Sequence, residues 1–175
     1  MIIDMRLFIA IQFDDTILDE LSELQAGMKK CGLKGRYTSR ENLHLTCVFI
    51  GEYGNPDDVL EAMEEVSFQP FTIKLEGVGN FGDLFWAGTT ENPELMRLVA
   101  RIRKSLSDHQ IPFDKKKFLP HVTLVRNAEF VNKKAGLPDI ELRAEMIVDR
   151  IALMKSEQGK HGMIYTVVDE ICTNS

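Results

Sequence analysis

The segments His44-Leu-Thr46-Cys-Val-Phe49 and His121-Val-Thr123-Leu-Val-Arg126 repeat one pattern 77 residues apart, and they constrain this chain most. Side chains in a strand point alternately to opposite faces. His44 and Thr46 therefore share a face, as do His121 and Thr123, while Leu45 with Cys47 and Val122 with Leu124 turn toward a core. A strand with one polar and one apolar face suits the wall of a wet cleft. Threonine fills nine of 175 positions. The chance that two of four histidines carry Thr at the second following residue is therefore on the order of one or two per cent, before allowance for the number of motifs that would have drawn notice.

The rest of the pattern places each motif behind a helix. The run at 7–11 reads as a buried strand. Asp14 or Asp15 caps a helix carrying Ile17, Leu18, Leu21, Leu24 and Met28 at helical spacing, ending near Gly32. Residues 43–50 read as a strand stopping at Gly51, and Asn55-Pro56 opens a helix through Val59, Leu60, Met63 and Val66. Strands are expected at 71–75 and 84–88, and Asn92-Pro93 starts a long helix that ends before Ile111-Pro112. Further strands are expected at 121–125, 141–144, 150–154 and 164–168, with a loop at Gly159–Gly162. The expected fold class is α+β and bilobal, with two similar sub-lobes of antiparallel sheet, helices outside, and a central cleft lined by the two H-x-T strands. Residues 1–175 are read as a single domain, since this length fits one core.

Gly77-Val-Gly79-Asn-Phe-Gly82 matches G-x-G-x-x-G by letter but sits between two expected strands instead of opening a helix. It is read as a turn and not as a dinucleotide loop. No G-x-x-x-x-G-K occurs, so nucleotide-cofactor folds lose support.

Composition narrows the function classes. The 44% hydrophobic and 27% charged content is that of a globular chain. No run reaches the roughly 20 apolar residues of a membrane span, and Met1-Ile-Ile-Asp-Met-Arg6 lacks a secretory leader's apolar core, so a cytoplasmic location is expected. Cys31, Cys47 and Cys172 are odd in number and not at metal-ligand spacing, and are expected as free thiols. A net charge of −6 argues against coating long nucleic acid. Basic residues gather locally, however: Lys29, Lys30, Lys34, Arg36 and Arg40 precede the first motif, and Lys115, Lys116 and Lys117 precede the second.

Two imidazoles suit cleavage of a cyclic phosphate diester. One must take a proton from the attacking water and the other must give one to the departing oxygen, and imidazole titrates near neutrality. Thr46 and Thr123 can donate to the non-bridging oxygens. No metal or other cofactor is required by this set. A lone strand histidine is more often structural than catalytic; the pairing of two is what points to chemistry.

The chain resembles the two-histidine phosphoesterases, and within them the RNA 2′,3′-cyclic phosphodiesterase group also called 2′-5′ RNA ligases. The resemblance is carried by Arg6-Leu-Phe-Ile-Ala-Ile11, by Glu41-Asn-Leu-His-Leu-Thr46 with Phe49-Ile-Gly51, and by Gly77-Val-Gly79-Asn-Phe81 with Phe85-Trp-Ala-Gly88. It continues in Phe118-Leu-Pro-His-Val-Thr-Leu-Val-Arg126 and in Leu153-Met-Lys-Ser-Glu157 with Tyr165. It implies a bilobal fold and metal-independent hydrolysis of an RNA terminal 2′,3′-cyclic phosphate to a 2′-phosphomonoester. His44 would then be the acid and His121 the base. Arg126 matches the arginine after the second motif, which could hold phosphate or stack on a base. Cys47 departs from the usual aliphatic residue, and a packing role is expected of it. RNA ends or cyclic nucleotides are the implied substrates, no membrane is involved, and a monomer is expected.

Phe8, Phe85 and Trp86 could stack on a base, but packing roles are favoured. His109 and His161 default to surface or structural roles. The Lys115–Lys117 run is a solvated face that could steer an anion. Two rival readings stand beside this one: a non-catalytic binder of nucleotides or RNA ends, and a metallohydrolase, for which H-x-x-x-H spacing is missing. Ligation is the reverse-type reaction of the favoured class.

Overall fold

The computed structural model describes residues 6–173. The leader reading at Met1–Met5 lies outside them. Two antiparallel sheets face each other across a cleft. One has the order β3-β1-β8-β9, built from β3 (His44–Glu52), β1 (Arg6–Gln12), β8 (Arg150–Gly159) and β9 (Gly162–Cys172). The other has the order β2-β6-β5-β4-β7, from β2 (Leu33–Tyr37), β6 (Val122–Phe130), β5 (Leu84–Thr89), β4 (Phe71–Phe81) and β7 (Glu145–Val148). The α+β, two-lobed architecture expected from the pattern is present, but the chain weaves between the sheets instead of completing one lobe before starting the next.

Three helices close the outer faces. α1 (Asp15–Lys30) starts where the Asp14 carboxylate accepts from the Ile17 N–H at 3.1 Å, and it buries Ile17, Leu21, Leu24 and Met28. It packs on β2, β6 and β7. α2 (Pro56–Glu64) is capped by Asn55 and packs on α3 (Pro93–Asp108). The Asn92 side chain caps α3 at the Leu95 N–H and donates to the Thr72 carbonyl in β4, so one residue both ends the loop and ties helix to sheet. No helix among the described residues is long and apolar enough to cross a membrane.

The core-facing side of both motif strands is closed. Leu45, Val122 and Leu124 are fully buried and Cys47 nearly so, within a cluster that also takes in α1 and α3. Full burial of such a side chain stabilises by about 1.5–3 kcal/mol. Gln25, a buried polar residue on α1, donates to the Thr38 and Leu124 carbonyls at 2.9 and 3.0 Å, clamping β2 against β6.

Several elements differ from the sequence reading. β2 was not anticipated, because only Leu33 of its five residues is buried and no alternation shows. β3 continues past Gly51, whose φ of +88° glycine tolerates. The expected strand at 141–144 is not assigned as one: the Glu20 carboxylate takes the Arg143 and Ala144 N–H groups at 2.7 and 2.8 Å, only the Ala144 carbonyl accepts from β4, at the Leu75 N–H, and the strand comes next, as β7.

The Gly77–Gly82 stretch is not a turn for most of its length. It is the second half of β4, and only Gly82 and Asp83 turn the chain. Gly77 sits at an irregularity of the β4–β5 register, Gly82 adopts a φ of +60°, and Gly79 lies under the Trp86 ring. A Cβ at Gly79 would overlap Trp86 Cζ2 and Cη2. Gly79→Ala should therefore displace the indole and cost about 1–3 kcal/mol in urea unfolding; an unchanged midpoint would mean that the indole moves aside freely.

Candidate active site

Each motif strand carries the same local construction. Along residues 44–49 exposure runs half-buried, buried, half-buried, buried, buried, exposed, and along 121–126 it repeats step for step. The doubled buried pair arises from a bulge after each threonine. Ile9 pairs with Val48 and Ala10 with Thr46, leaving Cys47 extra; Phe85 pairs with Val125 and Trp86 with Thr123, leaving Leu124 extra. An extra residue resets the alternation, so Phe49 and Arg126 return to the polar face. His44 begins β3, whereas His121 lies one residue ahead of β6 instead of within it.

The two faces meet in one cleft of about 180 Å³. His44, Thr46, His121, Thr123 and Arg126 all line it, so the five residues singled out in the sequence converge. Phe8, Thr38, Asn42, Phe49, Ser156 and Tyr165 complete the wall, with no carboxylate among them. Of these, Thr38 and Phe49 had no signal of their own. Tyr165 and Ser156 belong to the closing strands, where they are register partners on β9 and β8.

Both imidazoles are held by the same device. His44 Nδ1 lies 2.6 Å from the Asn42 carbonyl and His121 Nδ1 lies 2.6 Å from the Leu119 carbonyl, in each case two residues upstream. A carbonyl can only accept, so each Nδ1 carries the proton and Nε2 is the working atom. His44 Nε2 meets Thr46 Oγ1 at 2.8 Å; with a neutral ring the hydroxyl donates to it. Aromatic neighbours fix the ring planes. Phe8 and Tyr165 lie 5.0 and 5.3 Å from His44 by centroid, and Phe81 and Trp86 lie 5.4 and 6.5 Å from His121.

Charge distinguishes the two. Burial pushes the His44 pKa below its ordinary value; the Asn42 carbonyl opposes this, and the nearby Arg126 and His121 add to it. Among the described residues no group of three or more His, Cys, Asp or Glu side chains is placed to hold a metal ion.

The remaining candidates lie elsewhere. Phe85 packs on Phe130 beside the core and does not reach the cleft. Trp86 packs on His121, and Phe8 forms cleft wall while nearly fully buried. His109 pairs with Glu65 at 2.9 Å, and His161 is exposed at the β8–β9 turn. Lys115, Lys116 and Lys117 are exposed and none lines the cleft.

Comparison with known proteins agrees with this geometry. Residues 13–160 match the family described as the 2′-5′ RNA ligase superfamily. An RNA 2′,3′-cyclic phosphodiesterase of Thermotoga maritima is 32% identical over 178 residues, covering 95% of this chain and 94% of the relative. A protein of the same name from Methanocaldococcus jannaschii is 32% identical, covering 95% and 99%. Among solved structures, E. coli LigT complexed with 3′-AMP superposes with a TM-score of 0.79 at 22% identity, over 98% of this chain and 99% of that one. A Thermus thermophilus structure gives 0.79 at 26% identity, over 95% and 97%.

The lowered His44 pKa has a consequence for stability. The unfolded chain protonates His44 near 6.5 and the folded chain only at lower pH, so the unfolded state binds more protons in between. Stability from the neutral buried ring is complete above about 6.5 and is lost as pH falls through 6.5 toward the folded value. His109, raised by Glu65, has the opposite sign. Between about pH 7.5 and about pH 5.5 the wild type should therefore lose more stability in urea than His44→Gln does. Equal losses would show that the folded ring protonates as readily as the unfolded one.

Proposed function

This chain belongs to the 2′-5′ RNA ligase superfamily, and we propose that it hydrolyses the 2′,3′-cyclic phosphate at an RNA end to a 2′-phosphomonoester. The observation that carries this reading is the convergence of two Nε2-presenting imidazoles, two threonines and one arginine on a single carboxylate-free cleft. The names of the relatives support the substrate class.

In the proposed reaction, water attacks phosphorus and loses a proton to one imidazole while the other protonates the departing 3′ oxygen. The P–O3′ bond breaks as the new P–O bond forms. Thr46 and Thr123 donate to the non-bridging oxygens, and Arg126 balances their charge. The direction carried by the resemblance has His44 as the acid and His121 as the base. Burial, with Arg126 adding to it, disfavours the charged form of His44. A proton therefore settles on it when the anionic phosphate is seated beside it, because a nearby negative charge favours the charged imidazole. The reaction needs no metal or other cofactor. A cleft formed within one chain supports action as a monomer, and three free cysteines support a cytoplasmic setting.

Incubation with a 2′,3′-cyclic nucleotide should yield the 2′-phosphate at a rate unaffected by chelator; a 3′-phosphate product would contradict the assignment of the leaving oxygen. His44→Ala and His121→Ala should each lower kcat by roughly 100-fold or more. Undiminished turnover removes that histidine from the mechanism.

The rate should be bell-shaped in pH. The limb set by His44 should lie at lower pH in kcat/KM than in kcat, because the former reports free enzyme and the latter the complex. Coincident limbs would mean that His44 does not gain its proton on binding.

A further inference from the structure

Arg36 lies on β2 with its Cα directly across from Arg126 of β6. Directly opposed residues of an antiparallel pair point to the same face. The rule can be checked within this molecule: Phe8 with Phe49 and Ser156 with Tyr165 are register partners, and all four line the cleft. Thr38, two residues along from Arg36, lines it too. Arg36 therefore stands on the cleft side of its sheet, next to Arg126 and just outside the enclosed volume.

Like charges directly opposed across strands destabilise a sheet. Nevertheless, neither Arg36 nor Arg126 has a carboxylate partner among the described residues, whereas Arg40, Arg97, Arg143 and Arg150 pair with acids and Arg101 and Arg103 with backbone carbonyls. Lys34, the next β2 residue on this side, does face an acid, since its register partner is Glu129. Along the β2–β6 ladder, Arg36 and Arg126 are thus the register partners of like charge.

Arg36 is also braced. With the Asn127 amide turned so that its oxygen faces the guanidinium, that oxygen accepts from Nη2 at 3.0 Å and Nε at 3.2 Å. Asn127 adopts a φ of +53° where β6 carries one residue more than β2. Local backbone irregularity of this kind re-aims a side chain. The brace uses one edge of the fork and leaves both Nη1 protons for a ligand.

Resting on the function proposed above, we infer that Arg36 is a second phosphate-binding position, which takes the internucleotide phosphate on the 5′ side of the terminal nucleotide. The terminal cyclic phosphate occupies the cleft between the imidazoles, and the strand can continue only from the 5′ oxygen of that nucleotide. A cleft of about 180 Å³ is smaller than the roughly 300–1,000 Å³ that engulfs a drug-sized ligand. The remainder of the strand therefore runs over the surface. Two adjacent uncompensated guanidiniums match successive phosphates, whereas the opposite wall, with Phe8, Phe49 and Tyr165, offers no cation. The substrate is then the end of an RNA strand, preferred over a free cyclic nucleotide.

The test compares a 2′,3′-cyclic mononucleotide with a short oligonucleotide ending in the same cyclic phosphate, using wild type, Arg36→Gln and Arg36→Lys. The wild type should favour the oligonucleotide. Arg36→Gln should lower kcat/KM for the oligonucleotide about tenfold, mainly through KM, and leave the mononucleotide unchanged. The slope of log kcat/KM against log salt for the oligonucleotide should fall by about 0.7, the value for one phosphate contact on a single strand. Arg36→Lys should recover part of the loss. Equal loss on both substrates, or loss on neither, overturns the inference while the hydrolytic reading stands. A wild type that turns over neither substrate overturns that reading itself.

Discussion

The site depends on two hydrogen bonds of the same design, from an imidazole Nδ1–H to the backbone carbonyl two residues upstream. Each does three things at once. It selects the tautomer, it aims Nε2 into the cleft, and it anchors the ring to backbone instead of to a mobile side chain. At 2.6 Å both bonds are short, and the acceptor cannot rotate away. Asn42 is itself tied across the lobe, since its side-chain amide donates to the Met163 carbonyl. The orientation of His44 is thus secured by the hairpin that also supplies Ser156 and Tyr165 to the cleft.

Around these equivalent devices the environment is unequal, which is what the proposed division of roles between two copies of one motif requires. His44 is enclosed by Phe8 and Tyr165 and meets its own threonine. His121 has Phe81 and Trp86 beside it and no hydrogen-bond partner at Nε2 among the described residues. The bulge after each threonine brings Phe49 to one wall and Arg126 to the other. Arg126 disfavours charge on the His44 imidazole, and in the proposed reaction the same cation would hold the anion.

The motif strands, three helices and five converging residues were legible because each rests on local chemistry. Alternation identifies a half-buried strand, and Asp14, Asn55 and Asn92 announce helix starts through capping. What escaped was set by partners distant in sequence. β2 is a strand because β6 takes its backbone groups, with Gln25 of α1 holding the Thr38 carbonyl just past its end, not because its own residues alternate. The strand expected at 141–144 does not form because Glu20, far earlier in the chain, claims the N–H groups of Arg143 and Ala144. The glycines at 77, 79 and 82 look like one motif but answer to three separate demands: a register irregularity, an indole and a turn. Phe49 was invisible as a cleft residue because a bulge, which no local pattern announces, decides which face it occupies, and Thr38 because it follows a strand whose own residues show no alternation.

The net charge of −6 can be reconciled with an anionic substrate once charge is counted by face instead of by chain. Some acidic side chains pair with exposed cations, as Asp15 and Asp19 do with Arg40 and Asp149 and Glu170 with Arg150. None enters the cleft. A small carboxylate-free volume with cations on one side attracts a single terminal phosphate at short range, where the low-dielectric walls strengthen each contact. Beyond about 8 Å, physiological salt screens the rest of the acidic surface. Such a distribution suits a protein that seizes the end of a strand and releases it, since affinity for long nucleic acid grows with every phosphate contacted and would slow departure.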